Sequence, residues 1–288
     1  MSNSRNKNTY TARDIVNFYS KLTWLQPAET AVLRQLQPQL ADMKMLDIGV
    51  GGGRTTLHFA PLTKQYMGID YSPEMIAACQ KRFKDSQHDI SFQVGDARDL
   101  SQFADDSFDF ILFSYNGIDY VSHEERLKIL MAVKRVGKPG CYFCFSTHNL
   151  QTLERKLSWR GQLNINPIEI YVNLVQLGLF WLFNLPLIYQ AIMRPKIADL
   201  DYVIVRDDSH RYRLNTYYIR AAQQLEQLAQ DFEQVEIYSW KSQEKVLNMD
   251  DPILEAELWL YYLCQVKPTS GSRPAVCQPK GQTNDDFA

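Results

Sequence analysis

An open, mostly parallel α/β sheet with helices on both faces is the fold class this 288-residue sequence predicts, and three observations carry the prediction. Short apolar runs alternate with helix-patterned stretches from Met43 to Ser146. The first run leads into Gly49-Val50-Gly51-Gly52-Gly53, four glycines in five positions. The residues that end these runs are polar, acidic or glycine, as expected where ligands meet the carboxyl edge of a parallel sheet.

Taken in order, Asp14 to Trp24 places Ile15, Phe18, Tyr19 and Leu22 at helical spacing, and Pro27 suits the first turn of a helix running to about Leu40. Met43 to Ile48 reads as a strand and Arg54 to Ala60 as a helix. Gln65 to Asp70 is the second strand, and Ser72-Pro73-Glu74 caps a helix to about Phe83. Ile90 to Val94 and the apolar Phe108 to Phe113 are the third and fourth strands. A helix from Glu124 to Val136 precedes the fifth, Gly140 to Ser146. Thr216 to Gln230 is rich in helix formers, and Phe232 to Trp240 and Glu257 to Lys267 complete a seven-stranded sheet.

Five parts follow. Residues 1–42 form an N-terminal helical cap, 43–149 a ligand-binding α/β core, and 150–214 a helical lid or insertion after the fifth strand. Residues 215–267 complete the core, and the polar 268–288 reads as a disordered tail or linker. Inside the insertion, Ile170 to Met193 holds no Asp, Glu, Lys, Arg or His. Its length suits a membrane span. A span there would put the last two strands across a bilayer from the sheet they complete, and Pro186, Asn173, Gln176, Asn184 and Gln190 interrupt it. It therefore reads as a lid, a homodimer face, or a peripheral membrane contact through 168–193.

Net charge of -2 with 45% hydrophobic residues excludes the basic excess of a nucleic-acid binder. The polar N-terminus lacks a secretory h-region, so cytoplasmic location is the default expectation. Cysteines stand at 79, 141, 144, 264 and 277. Cys141 and Cys144 have CxxC spacing, but in a strand an offset of three sends them to opposite faces, so packing is expected and no metal site.

The glycine turn needs a ligand. A dinucleotide fingerprint aligned from Gly49 or Gly51 would need a third glycine at Arg54 or Thr56, and the Gly-Lys-Ser/Thr of a Walker loop is missing. What remains is Asp47-x-Gly49-x-Gly51-x-Gly53, followed by Asp70 ending the second strand in GIDYSPEMI and Asp96 in VGDARDL. Phe108-Asp109 opens the fourth strand, and Lys138-Pro139-Gly140 precedes the fifth. Together these resemble the class I, Rossmann-like S-adenosylmethionine-dependent methyltransferases, strongly from Lys44 to Ser146 and more weakly over the last two strands. The second glycine usual after that proline is Cys141 here.

The resemblance implies S-adenosylmethionine as cofactor, and Asp47, Gly49, Gly51 and Gly53 as its cradle. It implies Asp70 as acceptor of both ribose hydroxyls, with Tyr71 and Met75 beside it. Asp96 and Ala97 fall near the adenine, and Ser114 near the methionine moiety. Tyr19 can close over the sulfonium, which aromatic faces attract. Tyr115, Asn116 and Asp119 follow the fourth strand on the acceptor side, and His148 in FSTHN is the candidate general base. The Pro-Pro-Tyr/Phe motif of amino-methyltransferases is replaced by Ser114-Tyr115-Asn116-Gly117, which lowers the expectation of a nucleic-acid base or protein glutamine as acceptor. His123 reads as a helix cap and His210 as part of a charged hinge. The expected activity is methyl transfer to an O or N of a small or lipophilic acceptor. The alternatives are a membrane-surface lipid or quinone methyltransferase, a non-catalytic cofactor-binding module, and a nicotinamide dehydrogenase.

Overall fold

The computed structural model describes residues 19–157, 167–184, 200–207, 212 and 214–268. Most of the helix expected from Asp14, His210, Cys277 and the tail from 269 lie outside them.

Helix α1 spans Pro27–Leu40, and Glu29 folds back to accept the Gln26 N–H at 2.7 Å. Strand β1 (Lys44–Ile48), helix α2 (Thr56–Phe59), strand β2 (Gln65–Asp70) and helix α3 (Pro73–Arg82) follow. The Ser72 hydroxyl accepts the Met75 N–H at the start of α3, as the sequence predicts. Strands β3 (Ile90–Val94) and β4 (Phe108–Phe113) precede helix α4 (His123–Val136). Ser122 caps α4 in a capping box with Glu125, so His123 is its first residue and not its cap.

Strand β5 (Gly137–Asn149) is longer than expected at both ends. It leads into helices α5 (Leu150–Leu157) and α6 (Pro167–Phe183). Strands β6 (Tyr202–Arg206) and β7 (Asn215–Ile219), helix α7 (Ala221–Ala229), strand β8 (Phe232–Ser239), helix α8 (Ile253–Ala256) and strand β9 (Trp259–Val266) complete the chain.

The sheet orders β3-β2-β1-β4-β5, all parallel, and continues through β9 and β8, where β9 runs antiparallel to both β5 and β8. These are the seven predicted strands. The structure adds two. Beyond Phe113↔Phe145, β5 outruns β4, and its final residues pair with β7 (His148↔Tyr218, Asn149↔Ile219), which forms an antiparallel hairpin with β6. The segment expected as a helical insertion therefore contains a strand. The helix predicted from Thr216 begins only at Ala221. Asn215–Ile219 is β-branched and aromatic, and it joined the helical reading only because a strong helix former follows.

Side chains alternate across the sheet into two cores. Leu46, Ile48, Ile111 and Phe143 pack with Ile129 and Val133 of α4 on one face. Met45, Phe110, Leu112 and Cys144 pack with Val32, Leu36 and Leu40 of α1 on the other. Cys141 lies in the first core and Cys144 in the second, as period-two alternation requires. Among the described residues no helix is long and apolar enough to cross a membrane.

Candidate active site

A cavity of about 560 Å³ opens at the carboxyl ends of β1 to β4. Tyr19, Gly49, Asp70, Tyr71, Met75, Asp96, Ala97, Ser114 and Tyr115 line it. Asp47, Gly51, Gly53, Asn116 and His148 do not.

The turn after β1 takes its shape from glycine. Gly49 stands at φ +68, where a side chain is strained, and its Cβ would meet Phe113 at 3.2 Å. Asp70 holds the turn from below: its carboxylate accepts the Gly51 N–H at 3.0 Å and the Ser72 N–H at 2.9 Å. Burial raises the Asp70 carboxyl above its ordinary value, against the opposing pull of those two N–H groups. Each carboxylate oxygen keeps a further acceptor position for a ligand.

Gly52 is glycine for a different reason. Its Cβ would stand 2.3 Å from the Ser20 Cα, because the segment from Tyr19 to Trp24 crosses directly over the turn. Three consecutive carbonyls pin that strap: Arg82 donates to Leu22 at 3.1 Å, His58 to Thr23 at 2.6 Å, and Arg54 to Trp24 at 3.0 Å. The strap brings the Tyr19 ring edge-on to Tyr115, centroids 6.4 Å apart. Gly52→Ala, at a backbone without positive φ, is expected to shift the strap rather than unfold the turn. S-adenosylmethionine affinity should then fall by about tenfold, the weight of one lost aromatic contact on its sulfonium, read by calorimetric titration with the melting temperature nearly unchanged.

Asp47 lies beneath the turn, fully enclosed, and accepts hydroxyls from Thr55 and Tyr66. Burial outweighs those hydrogen bonds and pushes its carboxyl up to about 6. An acid raised above its unfolded value near 3.8 lends stability below that value and loses it as pH rises through about 6. Asp47→Asn keeps an oxygen for both hydroxyls. It should flatten the fall in urea midpoint across that window, while S-adenosylhomocysteine affinity stays within about twofold because nothing at Asp47 reaches the cavity. A large loss of affinity would instead make Asp47 a cofactor contact.

Asp96 is engaged by Arg98, which donates from its backbone (2.9 Å), Nε (2.9 Å) and Nη2 (2.5 Å) and reaches Glu125 with Nη1 at 2.6 Å. Burial alone would raise the Asp96 carboxyl, but the Arg98 hydrogen bonds hold it below its ordinary value. Asp96 and Arg98 thus present a fixed ionic edge at one end of the cavity.

At the end of β4, Ser114 belongs to a buried cluster the sequence did not disclose. Arg54 forms a two-pronged pair with Glu29 (2.5 and 2.6 Å), and Ser114 and Tyr261 both donate to Glu29. The Arg54 guanidinium lies 4.9 Å from the Tyr115 ring. The available signal was Glu29 itself, an acid in phase with the buried Val32, Leu36 and Leu40 of α1.

Tyr115 and Asn116 both hold φ +59, two successive non-glycine residues in the left-handed region. The Asn116 N–H donates to Ser146 at 2.8 Å, and its buried Oδ1 has no partner. Its amide nitrogen stands 3.4 Å from His148 Nε2. Asp119, wholly buried, accepts His148 Nδ1 at 2.7 Å, the His148 backbone N–H at 2.7 Å, and Arg126 and Thr147 at 2.6 Å each. This fixes the Nδ1–H tautomer and leaves the lone pair on Nε2. His148 stands one ring back from the cavity, edge-on to the lining Tyr120 at 6.4 Å, with Tyr218 at 4.9 Å on another side. Among the described residues no His, Cys, Asp and Glu gather as a metal would require.

Residues 45–140 match a family model described as a methyltransferase domain. An uncharacterized methyltransferase, YcgJ, of Bacillus subtilis (strain 168) is 37% identical over 76 residues, 26% of this chain and 30% of its own length. Norajmaline N-methyltransferase of Rauvolfia serpentina is 36% identical over 109 residues, 36% of this chain and 35% of its own. The ubiquinone/menaquinone biosynthesis C-methyltransferase UbiE of Geobacter sp. (strain M21) is 35% identical over 102 residues, 34% of this chain and 42% of its own. The chain thus spans less than half the length of each of these relatives. Among solved structures, an S-adenosylmethionine-dependent methyltransferase from Mesorhizobium loti superposes with a TM-score of 0.54 at 18% identity, covering 83% of this chain and 97% of its own. One from Methanosarcina mazei gives 0.52 at 18%, covering 82% and 96%. At that identity the likeness is one of fold.

Proposed function

We propose, for a chain whose core belongs to the class I S-adenosylmethionine-dependent methyltransferase family, that it moves a methyl group to an O or N of a small or lipophilic acceptor. The observation that carries this reading is the cavity over the glycine turn, where Gly49, Asp70, Asp96, Ser114 and Tyr115 meet. Its volume lies within the ~300–1,000 Å³ of small-molecule sites.

The residues present fit the cofactor. The side-chain-free turn admits a nucleoside against the backbone, and the Asp70 carboxylate suits a diol. Tyr19 and Tyr115 line the cavity, and aromatic rings attract a sulfonium. When bound, the sulfonium supplies an activated methyl group, so the chain's task is alignment and exclusion of water. The strap over Gly52 and the aromatic wall of Tyr19, Tyr115 and Tyr120 serve that task. The cofactor-binding roles of Asp47, Gly51 and Gly53 are support of the turn. On this reading Tyr71, Met75 and Ala97 touch the cofactor, which their place in the wall supports.

His148, oriented by Asp119, is the candidate base for a hydroxyl or ammonium proton, with Asn116 steadying Nε2. It stands one ring back from the cavity, so reaching the acceptor requires the Tyr120 ring to turn aside. The relatives include N- and C-methyltransferases by name, so the acceptor atom rests on the base and not on them. The test is release of S-adenosylhomocysteine from labelled cofactor with phenols, catechols, alkyl amines and isoprenoid quinols. His148→Gln should lower turnover by about 100-fold with cofactor affinity kept. Turnover at the level of an Asp70→Ala control for every acceptor class would overturn the enzymatic reading in favour of a binding module.

A further inference from the structure

We propose that Arg98 is a positioning residue of the cofactor site: with Glu125 it fixes the Asp96 carboxylate so that one acceptor position is left for the base, and the cavity thereby selects an amine over a carbonyl on the purine ring. The inference rests on the reading of Asp96 as the acid beside the adenine, and its test can fail while the cofactor assignment stands.

Among the described residues three charged side chains line the cavity, Asp70, Asp96 and Arg98. Asp70 holds the glycine turn and suits the ribose. Beside Asp96 and Arg98, the residues Val94, Ala97, Val121 and Ile129 give the wall apolar surface suited to a flat base. A carboxylate offers about four lone-pair positions. Asp96 Oδ1 accepts the Arg98 backbone N–H and its Nε, each at 2.9 Å, and Oδ2 accepts Nη2 at 2.5 Å. One position remains, on Oδ2. The Asp96 side chain is 41% exposed and stands in the cavity wall, so a ligand can reach that position.

The clamp exceeds what the loop after β3 needs. There the Arg98 N–H closes on Asp96 Oδ1, and the Asp99 N–H donates to the Asp96 carbonyl at 3.0 Å. An Asp–Arg pair as open as this one adds little stability. Yet the guanidinium is held a second time, by Glu125 of α4 at 2.6 Å, whose other oxygen accepts the Ser122 N–H at 2.9 Å. Arg98 is thus fixed between a strand end and a helix start, and its two-pronged grip fixes the plane of the carboxylate. That orientation carries the selectivity. Adenine brings an N–H of its amine to the open position. Hypoxanthine brings a carbonyl oxygen there, acceptor against acceptor, and carries its N–H on the adjoining ring nitrogen. A carboxylate free to turn would follow that N–H; a pinned one does not.

The test is calorimetric titration of the full chain with S-adenosylhomocysteine and S-inosylhomocysteine, which differ only at that amine and the adjoining ring nitrogen. The wild type should prefer the adenine nucleoside by at least ~10-fold, the weight of one hydrogen bond to a charged group. In Arg98→Met the carboxylate is released and the preference should fall to within ~3-fold. The urea midpoint should change little, because Glu125 keeps the Ser122 N–H. Arg98→Lys retains the charge but lacks the planar fork, so it should resemble the Met variant. Full preference in the Lys variant would overturn positioning in favour of charge alone. A Met variant that binds both nucleosides more weakly at an unchanged ratio would make Arg98 a structural residue and equally overturn the inference. A wild type without preference, whose binding of S-adenosylhomocysteine still depends on Asp70, overturns the inference and leaves the cofactor assignment intact. A wild type that binds neither nucleoside overturns both.

Discussion

Arg54→Ala should cost about 3–5 kcal/mol of folding stability, the range seen when one partner of a buried ion pair is removed. Glu29 is wholly enclosed and Arg54 nearly so, and two charge-assisted hydrogen bonds join them. Without the guanidinium, Glu29 keeps the Gln26 N–H and the hydroxyls of Ser114 and Tyr261, which are dipoles and not a counter-charge. The carboxylate is then left in a desolvated site without a counter-charge. Urea unfolding would show the loss as a lower midpoint at unchanged slope. Glu29→Leu/Arg54→Met, which removes both charges, should recover most of it, because a buried pair gives little net stability over apolar residues of similar size. A single-variant loss below about 1 kcal/mol, the worth of a surface pair, would show that water reaches the cluster. The cluster also bears on the site: Arg54 holds the Trp24 carbonyl of the strap and lies against Tyr115, so the stability loss should bring weaker cofactor binding.

That cluster marks the limit of what the sequence disclosed. Strands β2, β3 and β4 fall at the expected bounds. Strand β4 is buried at every residue but Asp109, so no polar residue blurs its edge. Strand β3, at the edge of the sheet, has no fully buried residue and was legible from its alternation and β-branched ends. The hairpin of β6 and β7 was missed since its pairing is set by the overhang of β5, a feature of register and not of local composition. Asp70 and Asp96 were legible because strand ends in a parallel sheet point toward one edge. Asp47 was legible as an acid beside the turn, but its enclosure by Thr55 and Tyr66 depends on partners eight and nineteen residues away. For His148, the sequence placed the ring past β5 and Asp119 past β4. The pairing of the two follows from β4 and β5 being neighbours, and the ring of Tyr120 that screens them from the cavity follows from nothing local. Arg54 was read only as a missing glycine. Its partner sits on a helix that precedes the sheet.

Asp70→Ala is expected to weaken S-adenosylhomocysteine binding by at least ~100-fold, since a ribose diol gives one carboxylate two charge-assisted hydrogen bonds of about 1.5–3 kcal/mol each. Part of the loss would come from the apo protein, because Asp70 also fixes the Gly51 and Ser72 N–H groups and so the shape of the turn. Asp70→Asn separates the two contributions. An amide has one oxygen for N–H donors and can keep part of the turn support, yet it offers the diol no negative charge. If turn support dominates, Asn restores most of the affinity; if the diol dominates, Asn behaves like Ala. The raised carboxyl adds a pH signature. Binding that needs the ionised form should weaken on acidification before an ordinary carboxylate would protonate, and the Asn variant should lack that step. The same titration with NAD bears on the rival nucleotide: the turn has Arg54 where a dinucleotide site needs its third glycine, and that guanidinium is locked on Glu29 beneath Tyr115. Heat from NAD comparable to that from S-adenosylhomocysteine would count against the cofactor assignment, whereas Asp70-dependent heat from S-adenosylhomocysteine alone ties the acid, the turn and the cofactor's nucleoside into one site.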